Sequence, residues 1–145
     1  MGTLKTAKIK HETSGTDTLV FDNGGTSGGN GRVTTKGTIG EIIAITYAST
    51  ITLDLRTANN FSTTLTGTLT LANPSNIAAG QSGVIYITQD NTGSHTWSVG
   101  SYWHFAGGTL PDLSTAGDAV DALVYHARTS TCLVCDLKLD VKATS

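Results

Sequence analysis

The stretch CLVCDLKLDV, residues 132–141, alternates strictly. Leu133, Cys135, Leu137, Leu139 and Val141 fall on one side, and Asp136, Lys138 and Asp140 on the other. Successive side chains leave a strand on opposite faces, so this period of two predicts a half-buried strand. The preceding AVDALVYHA (119–127) is a second apolar run of strand length. Working back, HTWSV (95–99), VIYITQ (84–89), TLTL (68–71), FSTTL (61–65), STITLDLR (49–56) and EIIAITY (41–47) are of the same kind. In STITLDLR, Ile51, Leu53 and Leu55 share one face while Thr52 and Asp54 share the other. Thr66-Gly67 reads as a tight turn, DNTGS (90–94) as a hairpin turn, and ANPSNIAAGQSG (72–83) is turn chemistry with Pro74, Gly80 and Gly83. Helix signals are nearly absent; Ser114 in LSTAGDAVD (113–121) could cap a single turn. Eight or nine short strands with turns every 8–12 residues predict an all-β fold, a β-sandwich or related barrel, and of these an antiparallel β-sandwich of jelly-roll-like type is expected.

Residues 1–38 read differently. Lys5, Lys8 and Lys10 are interleaved with single apolar residues, TDTLVFD (16–22) is one short strand-like run, and NGGTSGGNGR (23–32) is rich in glycine. Such a segment buries little by itself, so it is expected to be an extended N-terminal arm for attachment. Its gripping residues are Leu4, Ile9, Leu19 and Phe21. The sandwich domain is expected over 39–145. The opening MGTLKTAKIK has no apolar run behind its lysines, so no signal peptide is expected, and no stretch approaches the ~20 apolar residues of a membrane span.

Composition narrows the function. The chain of 145 residues has a net charge of −2, which gives no electrostatic basis for nucleic-acid binding. Charged residues are only 14%, so few long ionic side chains guard the strand edges, and neighbouring chains are expected to cover them. Cys132 and Cys135 form a C-x-x-C, but residues three apart in a strand point to opposite faces, too far apart for a disulfide. A zinc site would need two further ligands at suitable spacing. GGTSGGNGRVTTKG (24–37) lacks the Gly-Lys-Ser/Thr ending of a phosphate loop. DNTGS lacks the spacing of a calcium loop. The four histidines are dispersed, AGQSG (79–83) falls short of a nucleophile elbow, and Asp118 and Asp121 read as solvated acids beside a turn. No catalytic residue, metal ligand or cofactor is expected.

SYWHFAGGT (101–109) concentrates the aromatic residues. By strand parity Trp103 and Phe105 share one face and are expected in the core. Tyr102 and His104 share the other, left for solvent, a subunit contact or a receptor.

Residues 53–128 resemble a β-rich module of bacteriophage virion proteins, seen chiefly in tail-fibre and related structural proteins, including those of phages of cyanobacteria and other aquatic bacteria. The matching pieces are LANPSN (71–76), AGQSGVIYITQD (79–90), W-H-FAGGT (103–109) and LSTAGDAVDALVY (113–125). The start, MGTLKTAKIKHETSGTDTLVFD, also resembles the opening of phage fibre proteins, whose N-terminal part attaches to the particle. The resemblance implies a homotrimeric, non-enzymatic structural protein on the virion exterior, made in the bacterial host cytoplasm. Its implied partners are its own copies, other virion proteins of the capsid or tail, and a host surface glycan, with no nucleic acid and no membrane. Fibre proteins are usually longer and carry a shaft, which raises a second reading as a capsid decoration (cement) protein. A carbohydrate-binding module is the remote alternative.

Overall fold

The structure is a computed structural model, and it describes residues 40–143. The expected arm residues Leu4, Ile9, Leu19 and Phe21 lie outside the described residues.

The described chain is all-β. Its strands are β1 (Ile42–Ala44), β2 (Thr50–Ile51), β3 (Asn60–Leu65), β4 (Leu69–Leu71), β5 (Ser82–Gln89), β6 (Trp97–Val99), β7 (Trp103–His104), β8 (Val120–Thr129) and β9 (Cys132–Lys138). The one helical element among the described residues is a 3₁₀ turn at Ala106–Gly108. Ser114 does not cap a helix; its hydroxyl and its N–H both donate to Asp121.

The strands form a six-stranded sheet in the order β1-β3-β5-β8-β9-β7 and a three-stranded sheet in the order β2-β4-β6. β1, β3 and β5 pair with one another in parallel, and so do β2, β4 and β6. Only the pairs β5–β8 and β8–β9 are antiparallel. The expected wholly antiparallel pairing is therefore corrected to a mixed one. Consecutive strands up to β6 alternate between the sheets instead of pairing, so the chain winds from the large sheet to the small one and back. Parallel neighbours need a long crossover, and each turn of the winding supplies one. Ile42 pairs with Asn60, and Leu69 with Trp97, in each case with a strand of the other sheet lying between them in sequence. An isolated parallel bridge between Asp54 and Ser75 continues the winding beyond the small sheet.

The two expected turns are corners for the same reason, so DNTGS does not close a hairpin. Thr66-Gly67 leads from β3 in the large sheet to β4 in the small one, and DNTGS leads from β5 to β6. The one true hairpin among the described residues is β8–β9, which pairs Leu123 with Leu137 and Tyr125 with Cys135.

Both sheets contribute to one core. Ile51, Leu53, Leu55, Leu69 and Leu71 come from the small-sheet side, and Phe61, Leu65, Ile85, Ile87, Leu123, Tyr125 and Leu133 from the large sheet. The alternation in STITLDLR holds although only Thr50–Ile51 is regular strand: Ile51, Leu53 and Leu55 are all buried. The alternation in CLVCDLKLDV holds only to Leu137. β9 ends at Lys138 and Asp140 takes a left-handed φ of 44°, so Leu139 and Val141 are exposed rather than packed.

The seam between winding and hairpin is tight at Gly83. A Cβ there would stand 1.8 Å from the Asn59 carbonyl oxygen and 2.7 Å from the Tyr125 hydroxyl. That hydroxyl donates to the same Asn59 carbonyl at 2.8 Å. Glycine is required so that the tyrosine can reach across β5 to β3.

Candidate functional site

The aromatic cluster separates into unlike environments. Trp103 is buried as expected; its indole N–H donates to the Ala72 carbonyl at 3.0 Å, and its ring meets Tyr125 edge-on at 6.2 Å. Phe105 is only half-buried, because β7 ends at His104; it packs from the margin of the core, edge-on to Trp97 at 5.9 Å. Tyr102 precedes the strand and does not share a face with His104. It is half-buried against the core, its N–H bonds the Asn73 side-chain oxygen at 2.9 Å, and its carbonyl accepts from Leu133. His104 is exposed on the outer side of the large sheet, paired with Val134. The expected contact pair is thus divided, and His104 alone faces outward.

Two buried polar side chains tie distant chain segments together. Gln89 donates to the carbonyls of His95 and Ser114, both at 2.9 Å, and accepts from the His95 N–H at 3.0 Å. Asp121, expected in solvent, is only 1% exposed. One carboxylate oxygen accepts the Ser114 hydroxyl at 2.6 Å and the Asp140 N–H at 2.8 Å, and the other accepts the Ser114 N–H at 2.8 Å. Buried polar groups are tolerated where their hydrogen bonds are made, and these are made chiefly with backbone. Both residues therefore clamp chain segments.

Asp90 organises the DNTGS corner. Its Oδ1 accepts from Thr92 N–H, Gly93 N–H and His95 Nε2 at 2.9–3.0 Å. Burial opposes the charge, but the Gly93, Thr92 and His95 bonds together hold the carboxyl below the ordinary aspartate range. Asp54 plays a similar part at the earlier corner, accepting from Asn76 at 2.8 Å and from the Arg56 N–H at 2.9 Å. Those bonds also lower its pKa, with Asn76 the largest influence.

Sequence reading missed one nucleophile–base pair. The Ser82 hydroxyl lies 2.7 Å from His126 Nδ1 across the β5–β8 ladder. The two residues sit on different strands, so no local motif announces them. Both are exposed, and no carboxylate among the described residues hydrogen-bonds the histidine. Acyl-transfer chemistry needs an oriented base and preorganised oxyanion donors, and an open strand face supplies neither. Among the described residues no three metal-ligating side chains cluster. Cys132 is half-buried, whereas Cys135 is buried on the opposite face and its thiol is pushed up to about 12 by burial. Both cysteines are free.

The outer surfaces of the two sheets differ in chemistry. On the small sheet, Thr50, Thr70 and Ser98 stand in register, with Ser98 Oγ donating to Thr70 Oγ1 at 3.1 Å. Thr68 and Thr96 share a hydroxyl bond at 3.3 Å beside them. On the large sheet, Ile42, Val124 and Val134 are exposed, with Val84, Tyr86 and Val120 half-buried among them. Comparison with family models, with curated proteins and with solved structures finds no match to this chain.

Proposed function

We propose that the chain is a non-enzymatic structural protein on the exterior of a phage virion, a fibre-type or tail-attached component whose two sheets pack as a sandwich and whose copies assemble as a homotrimer. The observation that carries this reading is the part played by the residues of the virion-module resemblance. Asn73 of LANPSN holds Tyr102. Gln81 of AGQSGVIYITQD donates to the Leu55 carbonyl at 2.6 Å and to Asn59 Oδ1 at 2.7 Å. Trp103 of W-H-FAGGT donates to Ala72, and Asp121 of LSTAGDAVDALVY clamps Ser114 and Asp140. These side chains spend their hydrogen bonds on holding the fold together. That is the pattern of a building block, whereas an enzyme directs such groups into a cleft.

The test is the stoichiometry of purified virions by quantitative gel densitometry, with immunogold labelling of intact particles. Low copy number and label at the tail are expected. Tens to hundreds of copies spread over the head would replace this reading with the capsid-decoration one, and absence from the particle would end both.

A further inference from the structure

We propose that the outer face of the six-stranded sheet is the surface on which copies of this chain meet; the inference rests on the homo-oligomer reading and assigns it a surface. Strand parity places Ile42, Val84, Tyr86, Val120 and Val124 on this face, with Val134 beyond them on β9. Register then assembles the face into rows. Val84, Val124 and Asp136 lie side by side on neighbouring strands, and Tyr86, Ala122 and Lys138 form the next row. Three of the five large hydrophobic residues exposed among the described residues, Ile42, Val124 and Val134, belong to this one face. A solvent face of a sheet alternates polar residues with its buried set, and an apolar belt on the outside marks an interaction surface.

Charge and area both point to a second copy as the occupant. The outward residues of β1, β3 and β5 include no charge. On β9 the Lys138 ammonium is paired with its own neighbour Asp136. β8 carries His126 and Arg128 only towards its far end. Over Val84, Tyr86, Val120 and Val124 the face bears no charge, so it repels no copy of itself there and offers a charged partner nothing to complement. Its strands present about 600 Å² in projection, at about 16 Å² per strand residue. Side-chain relief brings that near the roughly 800 Å² per partner of a standard interface. In a trimer three such faces turn towards the threefold axis, where each meets both neighbours and the valines and the tyrosine of the copies pack together. The small sheet offers its outer neighbours only hydroxyls that already bond one another.

The experiment is multi-angle light scattering on the full chain and on three variants, each checked by circular dichroism. The wild type is expected at three times the 15.0 kDa chain mass. Val124→Asp and Val134→Lys are expected to fold and run as monomers, and Thr70→Asp on the other sheet is expected to keep the wild-type mass. Val134 is 52% exposed at the end of the hairpin, so Val134→Lys remains informative if Val124→Asp does not fold. A wild-type assembly that both large-sheet variants leave intact overturns the surface assignment while sparing the oligomer reading. A wild-type monomer at micromolar concentration overturns both and leaves the face to another virion protein.

Discussion

Residues 42–99 and residues 120–138 build one core in two ways. The first part winds through six strands, four of them only two or three residues long, and no strand pairs with the next one in sequence. The second is a single hairpin with strands of ten and seven residues. The hairpin's register follows from its own alternation, since a slip of one residue would turn Leu123, Tyr125, Leu133 and Cys135 outward. In the winding only β3 and β5 are long enough to carry such a guide. Its short strands are held in register by side chains at the corners: Asp54, Asn73, Gln81, Gln89 and Asp90 each bond backbone at a change of direction. One half is thus specified by packing, and the other by packing together with polar corner clamps.

This contrast is sharpest where the halves join. Trp103 touches both, through β7 pairing with β9 and through the indole bond to Ala72. Trp103→Ala removes a buried ring and is expected to lower stability by about 3–5 kcal/mol in urea unfolding monitored by circular dichroism. A loss under about 1 kcal/mol, far below that range, would mean that winding and hairpin fold without this link. Gly83→Ala drives a methyl group into the Asn59 carbonyl and is expected to cost about 3 kcal/mol. A neutral Gly83→Ala would show that β3 and β5 can part without loss, and that the seam is looser than the Tyr125 bond implies. Gln89→Leu tests the corner clamp alone. It strands the His95 N–H and two carbonyls and is expected to cost about 1–3 kcal/mol. A loss confined to the winding, read as faster amide exchange at residues 90–96 than in β8, would support the division.

The remaining effect is alkaline. Burial raises the Cys135 thiol and the Tyr125 hydroxyl, each to about 12, from ordinary values of 9.0 and 10.0. The folded state favours their neutral forms, so their contribution is complete below pH 9 and is lost as pH rises from there towards 12. The urea midpoint is expected to fall between pH 9 and pH 11, and Cys135→Ala should flatten the early part of that fall. A midpoint constant to pH 11 would contradict the burial of these two groups. At the acid end the sign is reversed. The lowered pKa of Asp90 gives a contribution present at neutral pH and lost as pH falls below 4 and through the folded value.

The hairpin was legible in the sequence because alternation in CLVCDLKLDV and AVDALVYHA is long enough to read. The strands of the winding were legible as apolar runs, but their partners were not. Alternation marks a buried face without saying whether the neighbour is parallel. The step from Ile42 to Asn60 is also unequal to the step from Leu69 to Trp97, so the winding leaves no fixed repeat to find. Thr66-Gly67 has turn chemistry whether it closes a hairpin or rounds a corner. Asp121 misled for a different reason. A carboxylate beside a turn is ordinarily solvated, and its burial depends on donors at Ser114 and Asp140 that only the folded chain brings together. The division of Tyr102 from His104 followed from a strand of two residues, too short for parity to extend to its neighbours.

The corners carry one further consequence. Turns of the winding differ in length, the one from Leu69 to Trp97 being much longer than the one from Ile42 to Asn60, while the paired strands stay in register. Part of the added length is the strand β5 itself, eight residues against two in β2, and the rest sits in the corners. Lengthening a closed loop adds little entropic penalty, about 0.6 kcal/mol per doubling. Such a scaffold separates the evolution of its exterior from that of its core: a corner can be enlarged, replaced or given a foreign peptide to present, and the sheets beneath need not be redesigned.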